Sequence, residues 1–217
     1  MILLAMSDLH GRQDLFDAIV EHAAGADVVV LAGDLLERRR GDVSVRDGQR
    51  ECGEILTKTL QGLACPVLFV MGNDDMVVWH PPGDQFHDLH GRRIELGGWG
   101  FVGYQYSLPF MGGIHERGEE EIAMDLRQLA GQVDQRTVLV THSPAYGVLD
   151  QTSSGYRAGS PSLAALIAER RPCVHIHGHI HSQFGREGSS FNVARGAVRI
   201  DVLTGQSEVR VDPRNGG

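Results

Sequence analysis

Side chains that can bind metal ions follow five short apolar runs along this chain of 217 residues. They comprise two carboxylates, four imidazoles and one carboxamide: Asp8, His10, Asp34, Asn73, His142, His179 and His181. Oxygen and nitrogen donors without a thiolate suit divalent ions such as manganese, iron or zinc. Two such ions about 3.5–4 Å apart can clamp a phosphate and generate hydroxide for in-line attack. The donor set therefore predicts a dinuclear metal centre that acts on phosphate esters.

The elements that must position these donors are predicted from hydrophobic periodicity. Apolar runs predict strands over 2–6, 28–32, 67–71, 93–96, 101–104, 137–141, 174–177, 182–186, 190–194, 197–202 and 208–211. Amphipathic segments predict helices over 12–24, 50–62, 116–130 and 161–168, and residues 37–50 are predicted to form a polar loop. Strands and helices alternate in the first third, which favours a parallel sheet. Since ligands of open α/β sheets bind beyond the carboxyl ends of the strands, the seven donors are expected to meet there.

Composition narrows the class of protein. The net charge of −8, from 20 basic and 28 acidic residues, argues against a broad surface for duplex nucleic acid. The three cysteines lack a C-x-x-C pair and are expected to be reduced. No apolar stretch approaches the roughly 18 residues of a membrane span, and residues 1–6 read as a strand rather than a secretory signal. We expect a cytoplasmic protein with one domain over 1–213, a frayed tail over 214–217 and a small phosphoester as its partner.

The order of the motifs resembles the calcineurin-like metallophosphoesterase superfamily, whose pattern is D-x-H, G-D, G-N-H-[D/E], H and G-H-x-H. The corresponding segments here are Asp8-Leu9-His10, Gly33-Asp34, Gly72-Asn73, Thr141-His142 and Gly178-His179-Ile180-His181. Within the superfamily, residues 139–147 and 178–181 are most similar to small bacterial Icc-related phosphoesterases. The resemblance implies an α/β fold, a four-layer α/β/β/α sandwich of two mixed sheets flanked by helices. It also implies two divalent ions, with Mn²⁺ expected first and iron, zinc, cobalt or nickel as alternatives.

The resemblance further implies how the donors divide between the ions. The first ion would be held by Asp8, His10, Asp34 and His181. The second would be held by Asp34, Asn73, His142 and His179, so that Asp34 bridges the pair. Asp75 is expected to orient a neighbouring ligand rather than bind metal itself.

One position departs from the family pattern. The histidine expected after Gly-Asn, which would assist the leaving oxygen, is replaced by Asp74. An ionised carboxylate there would repel a phosphate dianion more than a phosphodiester monoanion, so a phosphodiesterase is expected, with Asp34, Asn73 and Asp74 taking part in catalysis. A phosphomonoesterase or pyrophosphatase on the same site is the alternative. A non-catalytic scaffold that binds a partner protein is the third hypothesis.

Substrate contacts are less specified by the sequence. Three basic side chains near the motifs are candidates: Arg12, His115 and Arg117. Aromatic and basic residues that could stack on a base or aryl group are Tyr104, Tyr106, Phe110, Tyr146, Tyr156 and Arg157, although packing or loop anchoring is favoured for each. His177 is equally compatible with a role behind the ligands and with the core. Whether residues 37–50 close over the site is left open.

Overall fold

Two six-stranded sheets form the centre of the computed structural model, which describes residues 1–37 and 44–213. The strands are β1 Ile2–Met6, β2 Val28–Ala32, β3 Val67–Val70, β4 Phe86–Asp88, β5 Arg93–Leu96, β6 Trp99–Tyr104, β7 Thr137–Thr141, β8 Val174–His177, β9 Gly185–Glu187, β10 Ser190–Asn192, β11 Ala197–Asp201 and β12 Ser207–Val211. The helices are α1 Gln13–His22, α2 Val45–Leu60, α3 Glu119–Leu129 and α4 Pro161–Arg170, with 3-10 turns at Ala130–Gln132 and His181–Gln183.

Both sheets have a parallel centre and antiparallel neighbours. The first has the order β12-β11-β1-β2-β3-β4, in which β1 to β4 run parallel and β11 pairs antiparallel with β1. The second has the order β5-β6-β7-β8-β10-β9, in which β6, β7, β8 and β10 run parallel. Its edge strands β5 and β9 pair antiparallel with their neighbours. The sheets are therefore mixed, as predicted.

Successive side chains of a strand point to opposite faces of its sheet, so each sheet packs against the other sheet on one face and against helices on the other. In β1, Leu3 packs into the apolar cluster between the two sheets, whereas Leu4 packs into the cluster that contains Phe16 of α1. On the outer side of the second sheet, Leu139 of β7 packs with Ile122 of α3 and with α4. Helices thus cover the outer face of each sheet, and the predicted four-layer α/β/β/α sandwich is confirmed.

The predicted loop over 37–50 is wrong in its second half, because α2 begins at Val45. The Ser44 hydroxyl caps this helix by accepting a hydrogen bond from the backbone N–H of Asp47 at 3.2 Å. The apolar face of α2 repeats at Cys52, Leu56 and Leu60, all buried, while the first turns are polar. Residues 38–43 and the predicted frayed tail over 214–217 lie outside the described residues.

Two short elements near the carboxyl ends of strands also differ from the prediction. The strand predicted over 182–186 is wrong: a 3-10 turn at His181–Gln183 precedes the shorter strand β9. The turn redirects the chain after Ile180, so that His181 points back toward Asp8. Strand β4, which the sequence analysis does not predict, adds three residues to the edge of the first sheet. Within the described part of the chain, no helix has the length and apolar character needed to cross a membrane.

Candidate metal centre

The predicted donors follow strands of both sheets. Asp8 and Asp34 come shortly after β1 and β2 in the first sheet, and His142 follows β7 in the second. Backbone hydrogen bonds tie these loops together: Asp8 N–H donates to the Gly33 carbonyl at 2.9 Å, and Gly178 N–H donates to the His142 carbonyl at 3.1 Å. Each of these bonds joins two loops of one sheet, and the backbone N–H of His179, which donates to Oδ2 of Asp8 at 3.0 Å, joins the loops of the two sheets at one common site.

Backbone strain is concentrated at the donors. Seven non-glycine residues in the described part of the chain have positive φ, and four of them are predicted metal ligands. The φ values are 55° for Asp8, 46° for His10, 52° for Asp34 and 70° for His179. The left-handed region is costly for residues with a Cβ, and such conformations cluster at functional sites. These turns aim the side chains back over the strand ends.

Two motif glycines allow the donors to approach each other closely. A Cβ on Gly72 would collide with the carboxylate and backbone nitrogen of Asp34, and one on Gly178 would collide with the Asp8 carboxylate and the Ser7 hydroxyl. The glycine of one motif therefore lies against the acidic ligand of another. The Ser7 hydroxyl in turn donates to Asp8 Oδ2 at 2.6 Å, a contact that the sequence analysis misses.

The first group of donors contains Asp8, His10 and His181, whose ligand atoms all lie within 4.8 Å of one another. Nε2 of His181 is 3.0 Å from Oδ1 of Asp8 and 3.4 Å from Nε2 of His10. Nε2 of His10 is also 3.9 Å from Oδ2 of Asp34. All four residues that the resemblance assigns to the first ion are thus brought together.

The second group contains Asn73, His142 and His179 beside Asp34. Nε2 of His142 is 3.4 Å from Oδ2 of Asp34 and 2.9 Å from Oδ1 of Asn73. The ring centroids of His142 and His179 are 5.0 Å apart. Oδ2 of Asp34 thus lies within 4 Å of both His10 and His142, so a single oxygen of this carboxylate is near both donor groups.

The chemistry of these donors fits a pair of cations. Nδ1 of His142 donates to the carbonyl of Ala32 at 3.0 Å, so the ring would present the lone pair of Nε2 to an ion that displaces the proton from that nitrogen. The facing Nε2 atoms of His10 and His181 can share at most one proton between them. Lone pairs of imidazole, carboxylate and carboxamide groups therefore converge, as divalent ions require.

The pKa values of the donors show how the buried imidazoles and carboxylates affect each other's protonation. Burial alone would raise the pKa of Asp8 and Asp34, but the neighbouring imidazoles outweigh it and hold both pKa values below their ordinary range. Burial alone would lower the pKa of His142, but Asp34 and Asp8 raise that pKa to about 10. Burial and His142 together lower the pKa of His179 to about 4. The protonated His142 ring thus compensates the buried carboxylates where a cation would otherwise do so.

The residues after Asn73 hold the site together. The backbone N–H of Asp74 donates to Oδ1 of Asp34 at 2.8 Å, and Oδ2 of Asp74 lies 3.4 Å from Nδ1 of His10. Asp75 is fully buried and accepts from the backbone N–H groups of Leu35, Leu36 and Gly72 at 2.8–3.3 Å. Asp75 therefore fixes the loops that carry Asp34 and Asn73 through their backbone, and its role in orienting a neighbouring ligand stays a prediction.

The three predicted substrate residues are dispersed. Arg12 is half exposed and pairs with Asp14 at 2.5 Å. His115 is only 3% exposed, and Nε2 of Gln105 lies 3.0 Å from its Nδ1. Arg117 pairs with Asp125 at 2.5 Å, and its guanidinium lies 3.9 Å from the centre of the Tyr106 ring. The structure groups none of them with the metal ligands, and their role in binding substrate stays a prediction.

The remaining histidines near the fifth motif are internal. His175 and His177 are fully buried in β8, with ring centroids 5.0 Å apart. Nε2 of His177 has no hydrogen-bond partner among the described residues. Both rings lie in the second sheet behind the site, so the terminal pair His179 and His181 alone reaches the donor cluster.

Comparisons with family sequence models, curated proteins and solved structures show which proteins this chain resembles. A sequence model of the calcineurin-like phosphoesterases matches residues 1–183. No curated protein matches the chain. One solved crystal structure superposes with a TM-score of 0.74 at 16% identity, covering 97% of this chain and 98% of that chain.

Two further solved structures are similar over most of their length. YfcE, a phosphoesterase from E. coli, shares 16% identity over 95% of this chain and 96% of its own, with a TM-score of 0.42. GAP50, the anchor in the inner membrane complex of Plasmodium, shares 12% identity over 98% and 89%, with a TM-score of 0.47. The superposition with the higher TM-score supports the fold alone, and these two add nothing to it. The match over residues 1–183, together with the converging donors, shows that the chain belongs to the calcineurin-like phosphoesterase family.

Proposed function

We propose that this protein is a dinuclear metal-dependent phosphodiesterase that hydrolyses small nucleotides or other organic phosphodiesters. The observation that carries the proposal is the Asp74 carboxylate, which lies beside His10 at the edge of the donor cluster. When bound, two divalent ions would activate water and neutralise charge on the phosphate. The residues of the chain hold those ions and select the ester.

The two donor groups divide the metal-binding work. Asp8, His10 and His181 would hold one ion, and Asn73, His142 and His179 the other, with Asp34 shared by both. Oxygen ligands from two aspartates and one asparagine, mixed with imidazoles, suit Mn²⁺ among the candidates. Asn73 contributes a neutral oxygen, so it leaves the positive charge of the ions available to the phosphate.

The charge of Asp74 favours diesters over monoesters. Its side chain is 15% exposed, so the carboxylate lies at the border between the site and solvent. A second negative charge on a substrate placed roughly 6 Å away would cost about 3 kcal/mol at an effective dielectric constant of 20. A phosphomonoester carries that second charge near neutral pH and a phosphodiester does not. Asp74 also cannot protonate a leaving group while it is ionised, and an activated alkoxide needs that help least.

The test compares a diester with a monoester on the same metal-loaded enzyme. Bis(p-nitrophenyl) phosphate and p-nitrophenyl phosphate share a chromogenic leaving group, so initial rates with added Mn²⁺ give two values of kcat/KM. The proposal predicts the larger value for the diester. A larger value for the monoester would support the phosphomonoesterase alternative. No turnover of either ester by protein that contains two ions would support the scaffold.

A further inference from the structure

A cleft of about 610 Å³ opens beside the metal centre. We call it the Phe110 cleft; its walls include Leu108, Phe110, Thr152, Tyr156, His179 and His181. Two of these residues, His179 and His181, belong to the donor cluster. A phosphoester bound at the ions would therefore extend one of its organic groups into this cleft, whose volume is in the range of small-molecule sites.

Two large aromatic side chains are held exposed in the cleft. Phe110 is 76% exposed and Tyr156 is 67% exposed. The Phe110 ring stands almost perpendicular to the ring of His179, with 6.5 Å between the centroids. Exposed apolar groups of this size cost free energy in water unless a ligand covers them. Their place next to a predicted metal ligand indicates that the ligand is the substrate.

Both aromatic side chains are carried on loops with fixed backbones. The Glu116 carboxylate accepts from the backbone N–H groups of Phe110, Met111 and Gly112 at 2.8–3.2 Å. Gly113 packs so closely on the carbonyl of Asn73 that a Cβ would collide with it. The loop that carries Phe110 is thus tied directly to a predicted metal ligand.

The Tyr156 loop is closed in a similar way. Thr152 N–H donates to the Tyr156 carbonyl at 2.8 Å, and Gly155 N–H donates to the Thr152 carbonyl at 2.9 Å. Aromatic side chains on preorganised loops lose little conformational entropy when a ligand stacks on them. The two loops therefore form a rigid apolar frame beside the ions.

The residues that line the cleft disfavour a second phosphate group as its occupant. Among the described residues that line it there is no lysine or arginine, and the polar groups are the hydroxyls of Thr152, Ser153, Ser154, Tyr156 and Ser182 besides the two histidines. A second phosphate would find no cation there, whereas hydroxyls can bond the edge of a base or a sugar. We infer that the Phe110 cleft binds a planar, uncharged aromatic group of the substrate, such as a nucleobase. This inference rests on the proposed function and names its substrate class.

A binding experiment tests the inference without requiring turnover. Adenosine 5′-monophosphate and ribose 5-phosphate differ only in the base, and each is titrated calorimetrically into Mn²⁺-loaded protein. We expect adenosine 5′-monophosphate to bind about 10-fold more tightly, a factor within the range that stacking of one base on an aromatic side chain contributes. Phe110→Ala should reduce the ratio of the two affinities to about one, and Phe110→Trp should retain it. Leu203→Ala, which removes an exposed apolar side chain outside the cleft, is the matched control.

The outcomes separate this inference from the proposed function. Equal affinities in the wild type, no binding of either ligand, or a ratio unaffected by Phe110→Ala would each overturn the inference. Hydrolysis of methyl p-nitrophenyl phosphate by Phe110→Ala, which lacks the ring proposed to stack on an aromatic group, tests the proposed function alone. A second comparison titrates phenyl phosphate and ethyl phosphate into the same protein. Tighter binding of phenyl phosphate would extend the ligand to aryl groups in general, and equal binding would restrict it to a nucleobase.

Discussion

Nδ1 of His10 lies 3.4 Å from Oδ2 of Asp74, while Nε2 of the same ring lies 3.4 Å from Nε2 of His181. An imidazole that donates from one nitrogen to a carboxylate presents the lone pair of the other nitrogen to a metal ion. The residue that replaces the histidine of the family pattern thus contacts a predicted ligand. Asp74 therefore has two separable effects, on metal affinity and on the charge that the substrate meets.

The first effect predicts weaker metal binding when the carboxylate is removed. In Asp74→Ala the His10 ring loses its acceptor, and we expect the affinity for Mn²⁺ to fall about 10-fold, the lower end of the range for groups that orient ligands. Calorimetric titration of Mn²⁺ into metal-free protein measures this. Asp84→Ala removes an exposed carboxylate outside the donor cluster and should leave the affinity unchanged. Equal affinities of wild type and Asp74→Ala would show that Asp74 does not position His10.

The second effect predicts a change in ester preference. Asp74→His removes a repulsion of about 3 kcal/mol and introduces a group that can donate a proton, so the kcat/KM for p-nitrophenyl phosphate should rise about 100-fold relative to that for bis(p-nitrophenyl) phosphate. Initial rates with both esters, at matched metal occupancy, give the ratio. An unchanged ratio would remove the charge argument for a phosphodiesterase.

The close approach of Gly178 to Asp8 predicts a packing defect at the site. A methyl group at position 178 would push on the Asp8 carboxylate and Ser7, and overpacking of this kind costs about 1–3 kcal/mol. Gly178→Ala should therefore lower both the free energy of unfolding in urea and the affinity for Mn²⁺. Gly131→Ala is the control, because a Cβ there meets nothing within 4 Å. The prediction fails if the two variants behave alike.

The pKa of His142 predicts how metal binding depends on pH. Because this pKa is raised from 6.5 to about 10, the protonated ring stabilises the metal-free fold fully below pH 6.5, and this contribution is lost as the pH rises toward 10. An ion that binds Nε2 must displace that proton, so the affinity for Mn²⁺ should rise about 10-fold per pH unit between pH 7 and 9. Calorimetry at pH 7 in two buffers of different ionisation enthalpy should show release of about one proton. Binding of Mn²⁺ without release of a proton would contradict the protonation of His142 that its raised pKa predicts.

Much of the fold follows from local patterns in the sequence. Strands such as β1, β2 and β7 are continuous apolar runs buried on both faces, and their predicted bounds agree with the structure. The hydrophobic pattern does not predict the first turns of α2. These turns are polar and include Gly48, so the apolar helical repeat begins only at Cys52. Its start does have a signal, since Ser44 stands three residues before Asp47 in the manner of a capping pair.

The sequence predicts which residues converge at the candidate metal centre, but not the contacts that hold them. Motif order identifies Asp8 and His142, because each stands within two residues of the end of a strand. The carbonyl of Ala32, which fixes the tautomer of His142, carries no signal in its residue type. The burial of His115 likewise depends on tertiary packing, whereas its position after a glycine pair favours an exposed loop. The exposure of Phe110 depends on the Glu116 contacts, which only the folded loop creates.

Anomalous diffraction from crystals of the Mn²⁺-loaded protein is the most direct test of the account. It should show two manganese peaks separated by about 3.5–4 Å, with Asp34 in contact with both. Asp8, His10 and His181 should surround one peak, and Asn73, His142 and His179 the other. A single peak, a peak outside this cluster, or no peak under metal-replete conditions would contradict the dinuclear site.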